Sequence, residues 1–319
     1  MRQEQGLLDV VVSQCKLLGQ VLYFDLTLED GGALPAWEAG AHIDLHLQDG
    51  LVRQYSLCGN PEDTTQYVLG VLLDPNSRGG SIAVHKQIAV GGKLKISYPR
   101  NLFPLDNTAK NTVLIGGGIG ITPMIAMAYS LYAQSNPFHL HYVARDPVFA
   151  PLLQTLPFAQ HVSIYNHSDT ASQRFDIQNV LQAAQLNGGA DVHAYVCGPE
   201  GLMKAVEEVG LSCGYPLNTL HQEAFSGQPV AGGNSFEVLA AKSGVRVQVA
   251  EDESITTALA RHGVRVPVSC EQGICGTCVV SVLEGTADHK DEYLTDEEKT
   301  DQIALCCSRS QTPLLVIDL

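Results

Sequence analysis

A chain of 319 residues exceeds one ordinary hydrophobic core and suits two or three compact domains. Its 45 % hydrophobic content is that of a globular protein, with no apolar run near the roughly 20 residues a membrane helix needs. The net charge of −15 argues against a nucleic-acid binder, which needs a basic face to neutralise phosphates, and permits an acidic surface for a basic partner. The start, MRQEQGLLDV, has no apolar core behind a basic segment, so a cytoplasmic protein is expected. Nine cysteines in that setting point to metal binding or catalysis rather than to disulfides.

In the N-terminal third, short alternating runs at 8–12, 21–28, 42–47, 67–73 and 93–98 are separated by Gly, Pro, Asn and Asp. This pattern predicts an antiparallel β-barrel. Arg53-Gln54-Tyr55-Ser56 puts a cation, an aromatic plane and a hydroxyl on one short strand. Arg78-Gly79-Gly80-Ser81 leads into a helix-like segment at 81–87, whose first amides form a candidate phosphate cradle. Taken singly, the first motif is equally readable as surface packing and the second as an ordinary glycine turn.

In the middle third, an apolar run at 111–115 feeds Gly116-Gly117-Gly118-Ile119-Gly120-Ile121-Thr122-Pro123. A helix with Met124, Met127, Ala128 and Leu131 on its apolar face follows. A strand entering a glycine turn and a helix N-terminus is an arrangement that holds phosphate. Thr122 is the expected N-cap, with Pro123 at the first helical position. Ile121 stands where a dinucleotide fingerprint has its third glycine, so a tight packing turn is the alternative. Further strands at 139–144, 161–165 and 192–196 alternate with helix-like stretches, the rhythm of a parallel α/β sheet. The last strand ends at Cys197-Gly198-Pro199. Cys197 reads either as a buried small hydrophobe or as a ligand-facing residue at a strand's carboxyl end. His221-Gln222-Glu223-Ala224-Phe225 closes this segment, and 226–234 reads as a Gly-rich linker.

In the last third, alternating runs at 236–241 and 245–249 predict a hairpin, and 252–262 predicts a helix. The segment Cys270-Glu271-Gln272-Gly273-Ile274-Cys275-Gly276-Thr277-Cys278 has C-x4-C-x2-C spacing, with Cys306 and Cys307 far downstream. Three thiolates from one loop require a tight curl, which Gly273 and Gly276 permit. This is the plant-type [2Fe–2S] ligand pattern. A zinc site is the competing reading, although zinc knuckles use paired C-x2-4-C units and only one C-x2-C is present. The run at 288–301 holds seven acidic and two basic residues and reads either as a docking surface or as a solvated segment.

GGGIGITP with CGP downstream resembles the nicotinamide domain of the ferredoxin–NADP reductase superfamily. The resemblance implies that Gly117, Gly118, Thr122 and Pro123 lie near the pyrophosphate, and Cys197, Gly198 and Pro199 near the nicotinamide. Arg53-x-Tyr55-Ser56 matches that superfamily's flavin motif. Tyr55 is then the aromatic plane, Ser56 the hydrogen-bonding group and Arg53 the phosphate partner. Gly70 and Val71 join the candidate cofactor-binding residues. Arg78-Gly79-Gly80-Ser81 resembles the phthalate dioxygenase reductase family, where it holds the terminal phosphate of FMN. In relatives an aromatic at the position of Phe225 lies against the flavin, with a core phenylalanine as the alternative. In plant-type ferredoxins the fourth ligand precedes a small apolar residue, which selects Cys306 over Cys307 beside Cys270, Cys275 and Cys278. Adjacent side chains on an extended strand diverge, so only one of the two faces the cluster.

The domain order resembles the phthalate dioxygenase reductase and vanillate O-demethylase reductase family along nearly the whole chain. It implies a multidomain chain: an antiparallel β-barrel for FMN (1–106), an α/β parallel-sheet nicotinamide domain (107–228) and a β-grasp ferredoxin domain (235–319). The implied activity is a reductase carrying electrons from NADH through FMN and [2Fe–2S] to a Rieske-type oxygenase. Ser56, Cys197, Glu223 and Phe225 are expected to position the reactants, with no general base. Arg145 is a candidate for a 2′-phosphate, but Asp146 beside it opposes one, which favours NADH over NADPH. A monomer is expected. Two alternatives remain open: an FAD reductase of the same order serving a hybrid-cluster protein or a diiron oxygenase, and a redox sensor without turnover. An aromatic acid, an aryl ether or a quaternary amine is compatible as the oxygenase's substrate.

Overall fold

The computed structural model describes residues 6–75, 79–169, 174–189, 191–225, 233–268, 270–271, 273–291 and 293–319. It divides into two compact units, residues 1–225 and 226–319. The first unit opens with β1 (Leu8–Leu18), β2 (Val21–Leu28), β3 (Ala41–His46), β4 (Val52–Ser56), β5 (Tyr67–Leu72), β6 (Lys93–Ile96) and β7 (Arg100–Asn101). These strands are antiparallel in the order β4-β3-β6-β1-β2-β5, with β7 on β3. A bridge between Leu57 and Leu69 returns the chain after β4 to β5, so the path curls into a barrel. Inward residues such as Phe24, Leu26, Ile43, Leu45 and Leu69 are fully buried. Helix α1 (Gly80–Gln87) is tied to β5 by the His85 ring, whose Nε2 lies 2.8 Å from the Val71 carbonyl.

The same unit continues with a parallel sheet of β8 (Asn111–Gly117), β9 (Phe138–Ala144), β10 (Val162–Asn166), β11 (Val192–Cys197) and β12 (Leu220–Glu223), ordered β10-β9-β8-β11-β12. Strands buried on both faces read as unbroken apolar runs, which is how β8 appears in the sequence. Helices α2 (Ile121–Ala133), α3 (Ala150–Leu153), α4 (Ile177–Gly188) and α5 (Glu200–Ser212) accompany the sheet. One core continues from the barrel through α2 into the sheet, joining residues such as Leu57, Met124 and Tyr142. A second core lies under α4 and α5.

The start of α2 differs from the sequence expectation. Gly120, not Thr122, is the N-cap, and the Thr122 hydroxyl donates to the Ile119 carbonyl at 3.0 Å. A Cβ on Gly120 would stand 2.3 Å from the Cys197 carbonyl oxygen. Glycine lets the two loops touch, so the helix starts earlier than the capping rule predicts.

The second unit contains β13 (Phe236–Ala240), β14 (Val245–Val249), α6 (Ile255–Arg261), β15 (Val279–Glu284), β16 (Ala287–Asp288), β17 (Gln302–Ala304), β18 (Arg309–Ser310) and β19 (Leu314–Ile317). The sheet order is β14-β13-β19-β15-β17, with β13 and β19 parallel and the hairpin antiparallel. Helix α6 packs its Ile255, Ala258 and Leu259 on this sheet, capped at Ser254, whose hydroxyl accepts from the Thr257 amide. A mixed sheet crossed by one helix is the β-grasp arrangement. The buried Arg309 binds it together by donating to the carbonyls of Asn234, Ala250 and Glu253.

Candidate active site and iron–sulfur centre

Alternation along β4 places Arg53 and Tyr55 on one face and Ser56 on the other. The Arg53 side chain lies across Gly80 at the start of α1; a Cβ there would stand 2.6 Å from Arg53 Cγ. Gly79 takes the left-handed conformation (φ 86°) and turns the chain into the helix. Ser81 is buried and exchanges hydrogen bonds with the Asp74 backbone. A guanidinium packed on a glycine helix start fits a terminal phosphate. Arg78 lies outside the described residues. Tyr55 stands near Arg53, and burial pushes its hydroxyl up to about 12, so it stays a neutral aromatic surface.

Ser56 reaches the other half of the unit. Its hydroxyl hydrogen-bonds the carboxyl of Glu223, which pairs in register with Cys197 across β11 and β12. Glu223 keeps some accessible surface, yet its Oε2 is sealed from solvent with no hydrogen-bond partner. Burial pushes this carboxyl up to about 8, offset in part by the Ser56 hydroxyl. The Cys197 thiol is held well above its ordinary value by burial, then by Glu223, and is neutral. A buried acceptor without a partner beside two short polar groups is the arrangement expected where a polar ring edge completes the site.

The glycine loops meet on the same edge. A Cβ on Gly117 would stand 2.8 Å from Pro199 Cδ, and Gly198 packs on Gly117. Gly70 of β5 faces Thr122 Cγ2 and Phe149, so the barrel abuts the nucleotide turn there, while Val71 is buried. Pro123 is buried inside α2. Gly118 is open, with φ 56° and nothing within 4 Å of a Cβ, and Pro199 is exposed. Arg145 and Asp146 are both exposed beyond β9. Phe225 is 36 % exposed and belongs to no core, unlike a structural phenylalanine.

In the second unit, Cys270, Cys275, Cys278 and Cys306 are all buried. The Cys306 thiol contacts those of Cys270 and Cys278, and Cys275 contacts Cys270. The amides of Cys306 and Cys270 turn toward the sulfurs of Cys278 and Cys275. No three His, Cys, Asp or Glu side chains form a closed single-ion site among the described residues; the thiols are linked as a chain of contacts. The loop curls through left-handed Glu271 (φ 55°), Gly273 (φ 78°) and Gly276 (φ 68°). Cys307 contacts the Cys306 thiol and lies against Gly273, but its Sγ is also 3.8 Å from the Ala304 carbonyl and 3.8 Å from the Ser308 hydroxyl. Both cysteines sit in the turn after β17 rather than on an extended strand, so the turn, not strand alternation, separates them.

Some neighbours escape sequence reasoning. His193 Nδ1 and His221 Nε2 lie 2.9 Å apart, and the Tyr195 ring stacks on His221 at 4.3 Å. They follow Cys197 and Glu223 back along the same faces of β11 and β12. Two-residue spacing is their only sequence signal. Within the acidic run, Asp291 and Leu294 are buried, and the Tyr293 ring lies on Gly276. Composition alone marks all of 288–301 as surface.

Comparison with known proteins places these features in a family. Residues 239–311 match the 2Fe-2S iron-sulfur cluster binding domain. The chain is 43 % identical over 321 residues to vanillate O-demethylase oxidoreductase from Pseudomonas sp. (strain HR199 / DSM 7063), covering 98 % of this chain and 100 % of that one. It is 36 % identical to phthalate dioxygenase reductase of Burkholderia cepacia, covering 99 % of each. A solved structure described as phthalate dioxygenase reductase, "a modular structure for electron transfer from pyridine nucleotides to [2Fe-2S]", superposes with a TM-score of 0.78 over 99 % of both chains. No helix among the described residues is long and apolar enough to cross a membrane. The chain therefore belongs to the phthalate dioxygenase reductase and vanillate O-demethylase reductase family of iron–sulfur flavoprotein oxidoreductases, the electron-transfer components of oxygenase systems.

Proposed function

We propose that this chain carries electrons from NADH through FMN to a [2Fe–2S] centre and on to a Rieske-type oxygenase, working as a cytoplasmic monomer. The modules are 1–106 for FMN, 107–228 for the nicotinamide and 235–319 for the cluster. The observation that carries the reading is the buried meeting of Ser56, Glu223 and Cys197 at the strand ends, beside the paired glycine loops. FMN, when bound, supplies the exchange between a two-electron hydride donor and a one-electron acceptor.

The chain's own residues position and enclose. Arg53 and the first amides of α1 bind the terminal phosphate. Tyr55 and Phe225 offer aromatic faces on which a ring can lie. Ser56 and neutral Glu223 place hydrogen-bonding atoms at its polar edge, and the small, uncharged Cys197 admits a second ring close by. The Gly117–Gly120 turn and Gly198 bring backbone within reach of a pyrophosphate. Cys270, Cys275, Cys278 and Cys306 supply the thiolates for two irons.

Two expectations test parts of this. Arg53→Ala weakens FMN retention by about 10- to 100-fold, the worth of a charge-assisted bidentate contact, measured by quenching of free FMN fluorescence. Unchanged retention would remove Arg53 from the phosphate site. Exposed Asp296, Glu297 and Asp301 offer negative charge to a basic oxygenase surface. Oxygenase reduction therefore slows as ionic strength rises beyond about 0.1 M. A salt-independent rate removes the docking role.

A further inference from the structure

A half-open cavity of about 570 Å³ lies between α4 and the first residues of β8 and β9. Sites for small organic ligands span about 300–1,000 Å³. Val180, Ala183 and Ala184 give the cavity an apolar wall on the helix, and His139, His141 and His161 line it from the sheet side. Asn111 ties the two sides, its amide donating to the Ala184 carbonyl at 3.3 Å. Each histidine of β9 is anchored to β10 by one nitrogen. His139 Nε2 lies 2.8 Å from Ser163 Oγ, and His141 Nδ1 lies 3.2 Å from the Tyr165 hydroxyl. His141 is only 7 % exposed, yet its Nε2 makes no hydrogen bond among the described residues and is not sealed in the core. Buried polar atoms are normally paired, so an unpaired one on a cavity marks a point that a ligand's polar atom completes. Burial keeps both imidazoles uncharged: it lowers His139 and pushes His141 down to about 3, with a neighbouring imidazole adding to each shift. No acid is among the described residues lining the cavity, and its exposed Lys110 is paired with Asp191.

We propose that this cavity is a second ligand site, for a neutral phenol, independent of the cofactor reading above. Methyl groups on one side and flat rings on the other suit an aromatic plane. Neutral imidazoles offer hydrogen bonds but no charge, so an anion entering here is desolvated without a counter-ion. With the ring proton of His141 on Nδ1, toward Tyr165, its Nε2 accepts the phenol's O–H. The site uses the amino-terminal halves of β8 and β9, whereas Gly117 and Cys197 stand at the carboxyl ends of their strands.

The test is equilibrium dialysis of the full-length holoprotein against 2-naphthol, with 2-naphthoate as the charged molecule of the same rings. Saturable binding of 2-naphthol is expected with a dissociation constant below about 1 mM. Binding of 2-naphthoate should be at least about tenfold weaker, because its charge finds no partner. Ala183→Phe fills the cavity from an exposed helix position and should weaken 2-naphthol by at least about tenfold, since the ring loses its space. His141→Phe keeps a ring and removes the nitrogen, and should weaken it by about 3- to 10-fold, the worth of one hydrogen bond. No saturable binding to the wild type, unchanged affinity in either variant, or 2-naphthoate bound as tightly as 2-naphthol overturns the proposal. Should His141→Phe fail to fold, Ala183→Phe and the 2-naphthoate comparison decide.

Discussion

Cys306→Ser is expected to lose the iron–sulfur chromophore and to lower NADH-driven cytochrome c reduction by roughly 100-fold or more, since a first ligand outweighs the outer-sphere partners whose loss costs 10–100-fold. Cys307→Ser is expected to retain both. The two residues are adjacent and equally buried, so any difference arises from direction alone. Cys306 meets the thiols of Cys270 and Cys278 as well as that of Cys307, whereas Cys307 itself turns to the Ala304 carbonyl and Ser308. Reduction of a flavin-directed acceptor such as ferricyanide should stay within about twofold in both variants, because the flavin site and the cysteine loop belong to separate compact units. The opposite result, with Cys307 required and Cys306 dispensable, would reverse the ligand assignment.

Glu223 governs the second large effect. Its carboxyl, pushed up to about 8 by burial, remains protonated through neutral pH. Above that value it would ionise at the site proposed for the flavin's polar edge, where a new negative charge would oppose hydride delivery. The rate of flavin reduction by NADH should fall about tenfold per pH unit above 8, as expected for one proton. Glu223→Gln, neutral and of the same shape, should be flat through that range in stopped-flow measurements. Stability carries the same signature. The native state keeps a proton that the unfolded chain releases from its ordinary value near 4.5 upward. Stability from this group is therefore greatest below pH 4.5 and declines through pH 8, by about 1.4 kcal/mol per unit at most. Glu223→Gln should remove that slope from denaturant midpoints; a slope that persists would assign it to another group.

Much of this was legible in the sequence because local rules dictate it. Strand alternation marked the barrel and the 236–249 hairpin, and ligand spacing marked the cysteine loop, since three thiolates on one loop leave few spacings open. The tightly packed glycine turns could be read because only glycine lets two backbones approach as Gly117 and Gly198 do. What stayed hidden depends on partners distant in sequence. Thr122 looked like a cap until the Cys197 carbonyl, from another strand, claimed the space at Gly120. Asp291 looked like one more surface acid, and only Ser308 and Gly273 reveal it as buried. Glu223 gave no sign of its raised pKa, because its burial comes from β4 and β11 together.

The proposed function requires electrons to leave a nicotinamide and reach iron within one chain. An anaerobic titration of the purified protein with NADH, followed by visible and electron paramagnetic resonance spectroscopy, tests this most directly. The flavin and [2Fe–2S] bands are expected to bleach together, a reduced-cluster resonance to appear, and the released flavin to be FMN. Flavin bleaching without any iron–sulfur signal would contradict it.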